Sequence, residues 1–221
     1  MIHSTSWVPS TEVAFIAGLT DKEINRALDE DVLPDNLVRR SDGREFARFV
    51  SLLVKFYFET SRDLSKPLRL SVIETLNDRV LRRDDADSVL ALHFALSAFD
   101  WKVPVSFGLI ELSNMARFVL DRAAGVEKAN RTIEVDPNVM GGLPVFMGTR
   151  VPIDTVTSSK AAGISDERLI ASYPFLTPEL IQDAEIYLQV HPRRGRPRKL
   201  GELNPGWTPQ ESKVVRRGQR E

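Results

Sequence analysis

The 221-residue sequence contains no cysteine. A disulfide framework, a thiolate metal centre and a cysteine nucleophile are therefore excluded. The absence fits a reducing cytoplasm, which is the expected location. Histidine is nearly absent too. His3, His93 and His191 are too far apart for a zinc or catalytic spacing, and His93 is read as a core or interface residue. No apolar run approaches the ~20 residues of a membrane span. The start, M-I-H-S-T-S-W-V-P-S, lacks the basic and apolar regions of a secretory signal, so none is expected. There is no phosphate-binding loop, no G-x-G-x-x-G after a strand and no G-x-S-x-G. Asp84, Asp85 and Asp87 sit in a charged connector and read as solvated. The expectation is a protein that is not an enzyme, with no metal and no cofactor.

Net charge is also scarce, at −1. It is unevenly spread. Residues 191–221 hold nine Lys/Arg against three acids, a net +6, so the first 190 residues carry −7. An acidic body with a basic tail suggests an interaction arm. The tail also holds four prolines and four glycines, which forbid a long helix and predict disorder in the free protein.

What is present is helix punctuation. The fold expected is mainly α: a winged helix-turn-helix over 1–60, a helical linker or dimerisation region over 61–130, a β-hairpin with a helix-turn-helix-like three-helix module over 131–190, and a basic tail over 191–221. In the first unit, Ser10 or Thr11 caps a helix that ends at Gly18. Thr20 and Glu23 form a capping box for a second helix to about Asp31, which buries Ile24, Ala27 and Leu28. Two short helices joined by a glycine turn make a helix-turn-helix. The second helix offers Lys22, Asn25 and Arg26 to DNA. Asp42-Gly43 marks a hairpin turn flanked by Arg39, Arg40 and Arg44, which reads as a wing meeting phosphates. An apolar helix, Phe46 to Phe58, follows. Against DNA binding, residues 1–60 carry ten acids and seven bases.

In the middle region a helix is expected from Ser65-Lys66-Pro67 to Leu81, burying Leu68, Val72, Ile73 and Leu76. Val89 to Phe99 is apolar and reads equally as helix or strand. Val103 to Leu109 is an edge strand, given Pro104. A helix from Leu112 to Lys128 carries Met115, Phe118, Val119 and Ala123 on one stripe. In the last module, Thr132–Val135 and Val145–Met147 pair as strands. Gly142, Pro144, Gly148, Thr149 and Arg150 shape the turns, and Pro152 opens a helix that ends at Gly163. Ser165 and Thr177 start two more helices.

Two families are resembled. The segment A-F-I-A-G-L-T-D-K-E-I-N-R-A-L-D-E-D-V-L-P, followed by the wing, resembles winged-helix domains of the MerR type. From Ile133 to about Pro197, the run G-x-P-V-F-x-G-T-R-V-P, then A-A-G-I-S-D-E-R-L and Y-P-F-L-T-P-E-L-I, resembles VapB-type antitoxins of toxin–antitoxin pairs. That second resemblance implies a non-enzymatic antitoxin that sequesters a PIN-like ribonuclease toxin and represses its own operon, as a homodimer within a toxin–antitoxin hetero-oligomer. It also implies a tail that folds onto the toxin, with Arg193, Arg194, Arg196 and Arg198 entering the acidic cleft and Trp207 as an anchor. Arg194-Gly195-Arg196-Pro197-Arg198 also resembles an AT-hook for the minor groove, but the toxin is the favoured partner of the tail. A stand-alone regulator with a sensing module and an adaptor without DNA binding are the other readings.

Overall fold

Trp7, Val8 and Pro9 form a short strand, β1 (Trp7–Pro9), that the sequence does not announce. In this computed structural model, which describes residues 7–40 and 43–192, it pairs antiparallel with β3 (Arg44–Ala47), and β3 pairs on its other edge with β2 (Val38–Arg40). Val8 and Val38 both face Phe46 across the ladder, and Phe46 is wholly buried. This corrects the expected helix from Phe46. Phe46 and Ala47 belong to the strand, and helix α3 (Val50–Glu59) begins only at Val50. The run Phe46–Phe58, interrupted only by Arg48, Ser51 and Lys55, shows neither period clearly, so its strand-to-helix change is set by the neighbours.

Helix α1 (Ser10–Ala17) follows β1 directly. Its N-cap is Pro9, not Ser10 or Thr11, and the Thr11 hydroxyl instead donates to the Val190 carbonyl at 2.7 Å. Gly18 ends the helix at φ 71°. A side chain there would be strained, and its Cβ would meet the Phe118 ring at 3.2 Å. Helix α2 (Asp21–Asp29) carries the expected capping box and stops before Asp31. Helix α4 (Lys66–Leu81) buries Val72, Ile73 and Leu76, whereas Leu68 is half-buried.

The ambiguous stretch after Val89 is mostly neither helix nor strand. Helix α5 (Ala86–Leu90) ends, and the chain then loops through an aromatic cluster in which Phe99 touches Phe49, Phe94 and Trp101. The expected single edge strand is a hairpin, β4 (Lys102–Val105) with β5 (Gly108–Glu111). Helix α6 (Ser113–Thr132) runs past Lys128 and buries Ala116, Val119, Ala123, Val126 and Ala129. Met115 is only half-buried and Phe118 is exposed, so the stripe is displaced towards the small residues.

The last part has β6 (Ile133–Glu134) paired with β7 (Val145–Phe146), then α7 (Ile153–Ala161), α8 (Asp166–Ser172) and α9 (Pro178–Val190). Pro152 is the N-cap of α7, not its first residue. Two apolar cores result. The larger takes in residues from Val8 to Val126 together with Val190. The smaller contains Ile133, Phe146, Ile153, Val156, Leu169, Leu176, Ile181 and Ala184. Helices α6 and α9 pack along each other; α6 contributes to the larger core and α9 to both. Among the described residues the chain is mainly helical, and no helix is long and apolar enough to cross a membrane.

One ion-pair network crosses the larger core. Buried Arg48, just before α3, reaches Glu12 of α1 at 2.7 Å and Glu127 of α6 at 2.8 Å. Glu127 in turn contacts His93. Burial raises the Glu12 carboxyl above its ordinary 4.5, with Arg48 pulling it partly back. The folded state therefore keeps this proton where the unfolded chain has lost it. Stability from Glu12 is greatest below the ordinary value and falls as pH rises through the raised one. Replacing Glu12 by Gln should remove that fall, seen as the difference between variant and wild type in urea unfolding as pH rises above the ordinary 4.5. Parallel pH curves for the two would refute it. Arg48→Ala should cost about 3–5 kcal/mol, because it strands a carboxylate in the core.

Candidate functional site

The surface made by α2 and the β2–β3 hairpin gathers the residues expected to meet DNA. Its position depends on the α2 cap. The Glu23 amide donates to the Thr20 hydroxyl at 3.3 Å, and the Thr20 amide donates to the Glu23 carboxylate at 2.8 Å. With Ile24, Ala27 and Leu28 buried, the opposite side of α2 turns Lys22 and Arg26 outward.

The hairpin closes onto this helix. Arg44 donates from Nη1 to the Asn25 side-chain oxygen at 2.9 Å, and its Nη2 lies 3.6 Å from Asp29. Asn25 also donates to the Asp21 carbonyl at 2.8 Å, so its amide is held from both sides. Arg26 is paired with Glu30 at 2.6 Å, and this hydrogen bond holds the Glu30 carboxyl below the usual range. Arg39 stacks on the Trp7 ring at 3.9 Å. Lys22 and Arg40 are exposed. The structure therefore joins Asn25 with Arg44, ties Arg26 to an acid, and leaves Lys22, Arg39 and Arg40 as the outward cations. Asp21, Glu23, Asp29 and Glu30 share the surface, so its charge is mixed. Trp7 was missed as a support, because a three-residue strand has no pattern to read. The Arg26–Glu30 pair was legible as an i,i+4 spacing. Asp42, in the turn itself, lies outside the described residues.

The second surface is built on the β6–β7 hairpin. Gly148 adopts φ 73° in the tight turn after β7. Thr149 closes that turn. Its amide and hydroxyl both donate to the Phe146 carbonyl, at 3.0 and 2.8 Å, and its hydroxyl accepts from the Val151 amide at 3.1 Å. The Pro144 carbonyl accepts from the Ile153 amide at 3.0 Å, and Gly142 sits at φ 82°. Arg150 is exposed and makes none of these closing bonds. Ser165 and Thr177 cap α8 and α9 with their side chains, and Lys160 pairs with Asp166 and Glu185, both at 3.2 Å, tying α7 to α8 and α9. Around this frame Val135, Met140, Leu143, Met147 and Phe175 are exposed. Phe175 packs edge-on against Phe146, the residue before Met147. Arg193, Arg194, Arg196, Arg198 and Trp207 lie outside the described residues. Among the described residues no three or more His, Asp or Glu side chains are grouped to hold a metal.

These features define a mainly helical protein with a small hairpin-and-three-helix module at its C-terminal side. Residues 133–188 match the family described as "Protein of unknown function (DUF433)". Over 197 residues the sequence is 34% identical to the uncharacterized protein y4eO of Sinorhizobium fredii (strain NBRC 101917 / NGR234), covering 89% of this chain and 87% of that protein. The chain belongs to the family of that protein. No solved structure matches it.

The turn at Gly148 can be tested through stability alone. A Cβ there meets nothing within 4 Å, so only backbone strain opposes a side chain. Gly148→Val should lower stability by about 1–2 kcal/mol, since β-branched residues resist positive φ. Urea unfolding measures this, and an unchanged midpoint would show that the turn does not need glycine.

Proposed function

We propose that this protein is an antitoxin that binds and neutralises a PIN-like ribonuclease and represses its own operon through a winged helix-turn-helix. The observation that carries the DNA half is the Arg44–Asn25 hydrogen bond. It fixes a hairpin against a capped helix as one unit, the relation a wing must have to a reading helix if both are to contact one duplex. Lys22, Arg39 and Arg40 are the outward cations of that unit, and they suit phosphate contacts. A dimer would read two half-sites about 34–36 Å apart.

The protein-binding half is supported by the exposed apolar side chains of the C-terminal module. Met147 and Phe175 lie beside the turn Gly148-Thr149-Arg150, where exposed Arg150 adds a cation suited to an acidic partner. A PIN-like nuclease gathers carboxylates around a divalent metal, and its surface near that cleft is negative.

Two measurements test the proposal. The product of a neighbouring reading frame should cleave RNA alone and be blocked by an equimolar amount of this chain. Met147→Glu should restore cleavage without changing the melting temperature. Separately, replacing Arg39, Arg40 and Arg44 by Ala should lower the slope of log K against log salt on operator DNA by about 2, the share of Arg39 and Arg40. A chain that binds DNA but leaves the nuclease active is a stand-alone regulator, and the antitoxin reading then fails.

A further inference from the structure

The β4–β5 hairpin carries an exposed phenylalanine at its turn and has one open edge, and we propose that this edge pairs with its own copy, joining two chains through a four-stranded antiparallel sheet. The proposal does not rest on the antitoxin or DNA readings. Among the described residues no third strand flanks the hairpin. A lone two-stranded ribbon is marginal in water, and an unpaired edge is a template for another strand. Its two faces differ. Val103 is buried, and Val105 and Ile110 pack partly buried against the larger core. Lys102, Pro104, Leu109 and Glu111 alternate with these residues and are exposed. Leu109 is 55% exposed, and Phe107, in the turn, is wholly exposed. Turns ordinarily take Gly, Asn, Asp or Ser, so a phenylalanine there gains nothing from the hairpin itself.

The ladder shows which edge is open. The Leu112 amide donates to the Trp101 carbonyl at 3.1 Å, and Val103 pairs with Ile110 and Pro104 with Leu109. Hydrogen-bonded and non-bonded pairs alternate along an antiparallel ladder, so Val103–Ile110 is a bonded pair and Pro104–Leu109 is not. The backbone polar groups of Pro104 and Leu109 therefore point to the two outer edges. On the β4 edge Pro104 has no N–H to give, which blunts that edge. On the β5 edge Leu109 offers both an N–H and a C=O, as does Glu111. A second copy supplies the complement. About a two-fold axis at Leu109, each Leu109 amide donates to the Leu109 carbonyl of the other copy, the self-complementary contact of an isologous dimer. This register sets Pro104, Leu109 and the same two residues of the other copy in one apolar row across the sheet. Charge agrees with it. Glu111, which pairs with Lys102 at 3.9 Å, falls opposite Phe107 of the other copy, so no like charges meet. An axis at Ile110 would instead set Glu111 against Leu109 and make the two Glu111 carboxylates diagonal neighbours.

The experiment measures self-association of the full chain by sedimentation velocity over a concentration series. Wild type should dimerise. Leu109→Lys and Leu109→Glu should each weaken the dimer by about tenfold or more at low salt, because like charges then meet at the axis. Circular dichroism should show unchanged helix content in both, since the side chain lies on the exposed face. An equimolar mixture of the two variants should recover the dimer, because Lys then faces Glu. A merely structural role of Leu109 gives no such rescue. The chain lacks cysteine, so a single introduced thiol reports its own neighbour. A hydrogen-bonded antiparallel pair holds its Cα atoms about 5.5 Å apart, within disulfide range. Leu109→Cys should therefore give a disulfide-linked dimer under mild oxidation, while Leu81→Cys, at another exposed site, should not. If wild type is a monomer at every concentration, the edge serves another protein or none, and the proposal falls. If both charged variants dimerise as wild type does, the dimer forms elsewhere and the proposal falls. If both weaken and mixing does not restore the dimer, the two-fold pairing at Leu109 is wrong.

Discussion

Helix α6 packs along α9, and most of the architecture depends on that contact. The first part of α6 completes the larger core through Ala116, Val119, Ala123 and Val126, while its C-terminal end feeds β6 of the smaller core through Ile133. Gly125 of α6 faces α9, where an added Cβ would lie 3.8 Å from the Ile186 side chain. Lys128 of α6 also reaches buried Asp183 of α9 at 3.7 Å, and Thr132 donates to the same carboxylate. The C-terminal module is thereby joined to the rest by two helices packed side by side. The same packing carries Val190 back to α1, so the two ends of the described chain meet.

Arg48 sets a second constraint on the larger core. It is a buried cation held by Glu12 and Glu127, so α1, the start of α3 and α6 must keep their mutual positions for the charges to cancel. A buried pair of this kind is weak evidence for stability as such, because desolvation offsets much of its attraction. Its effect is on specificity of arrangement. A sheet or helix that slipped would leave a charge unpaired in the core, which is costly.

The α2–hairpin surface shows how far local charge is already committed. Arg26 and Arg44 each have an acidic neighbour, and Arg39 lies over an indole. Cations paired this way orient a surface more than they attract a polyanion. Lys22 and Arg40 are exposed cations of this surface. The apolar side chains Met147 and Phe175 belong to the far end of α9. The charged α2–hairpin surface and the exposed apolar side chains of the C-terminal module are thus chemically distinct.

Local chemistry determined much of this protein by itself. The Thr20–Glu23 box, the Ser165 and Thr177 caps, the glycine at Gly148 and the pairing of Ile133 with Phe146 each depend on residues close in sequence or on backbone limits that one residue imposes. Such features are legible because their energies are local. Packing decided the rest. The fate of Phe46 depended on Val8 from a strand too short to read, and Val89 to Phe99 had no period because its aromatics meet Phe49 from another element. The sequence named six residues that the fold brings to the α2–hairpin surface but could not say which would be neutralised, because Arg44 finds Asn25 and Asp29 only across the fold. The exit point of the tail is likewise tertiary. It depends on one hydrogen bond, from Thr11 to Val190, between residues 179 positions apart.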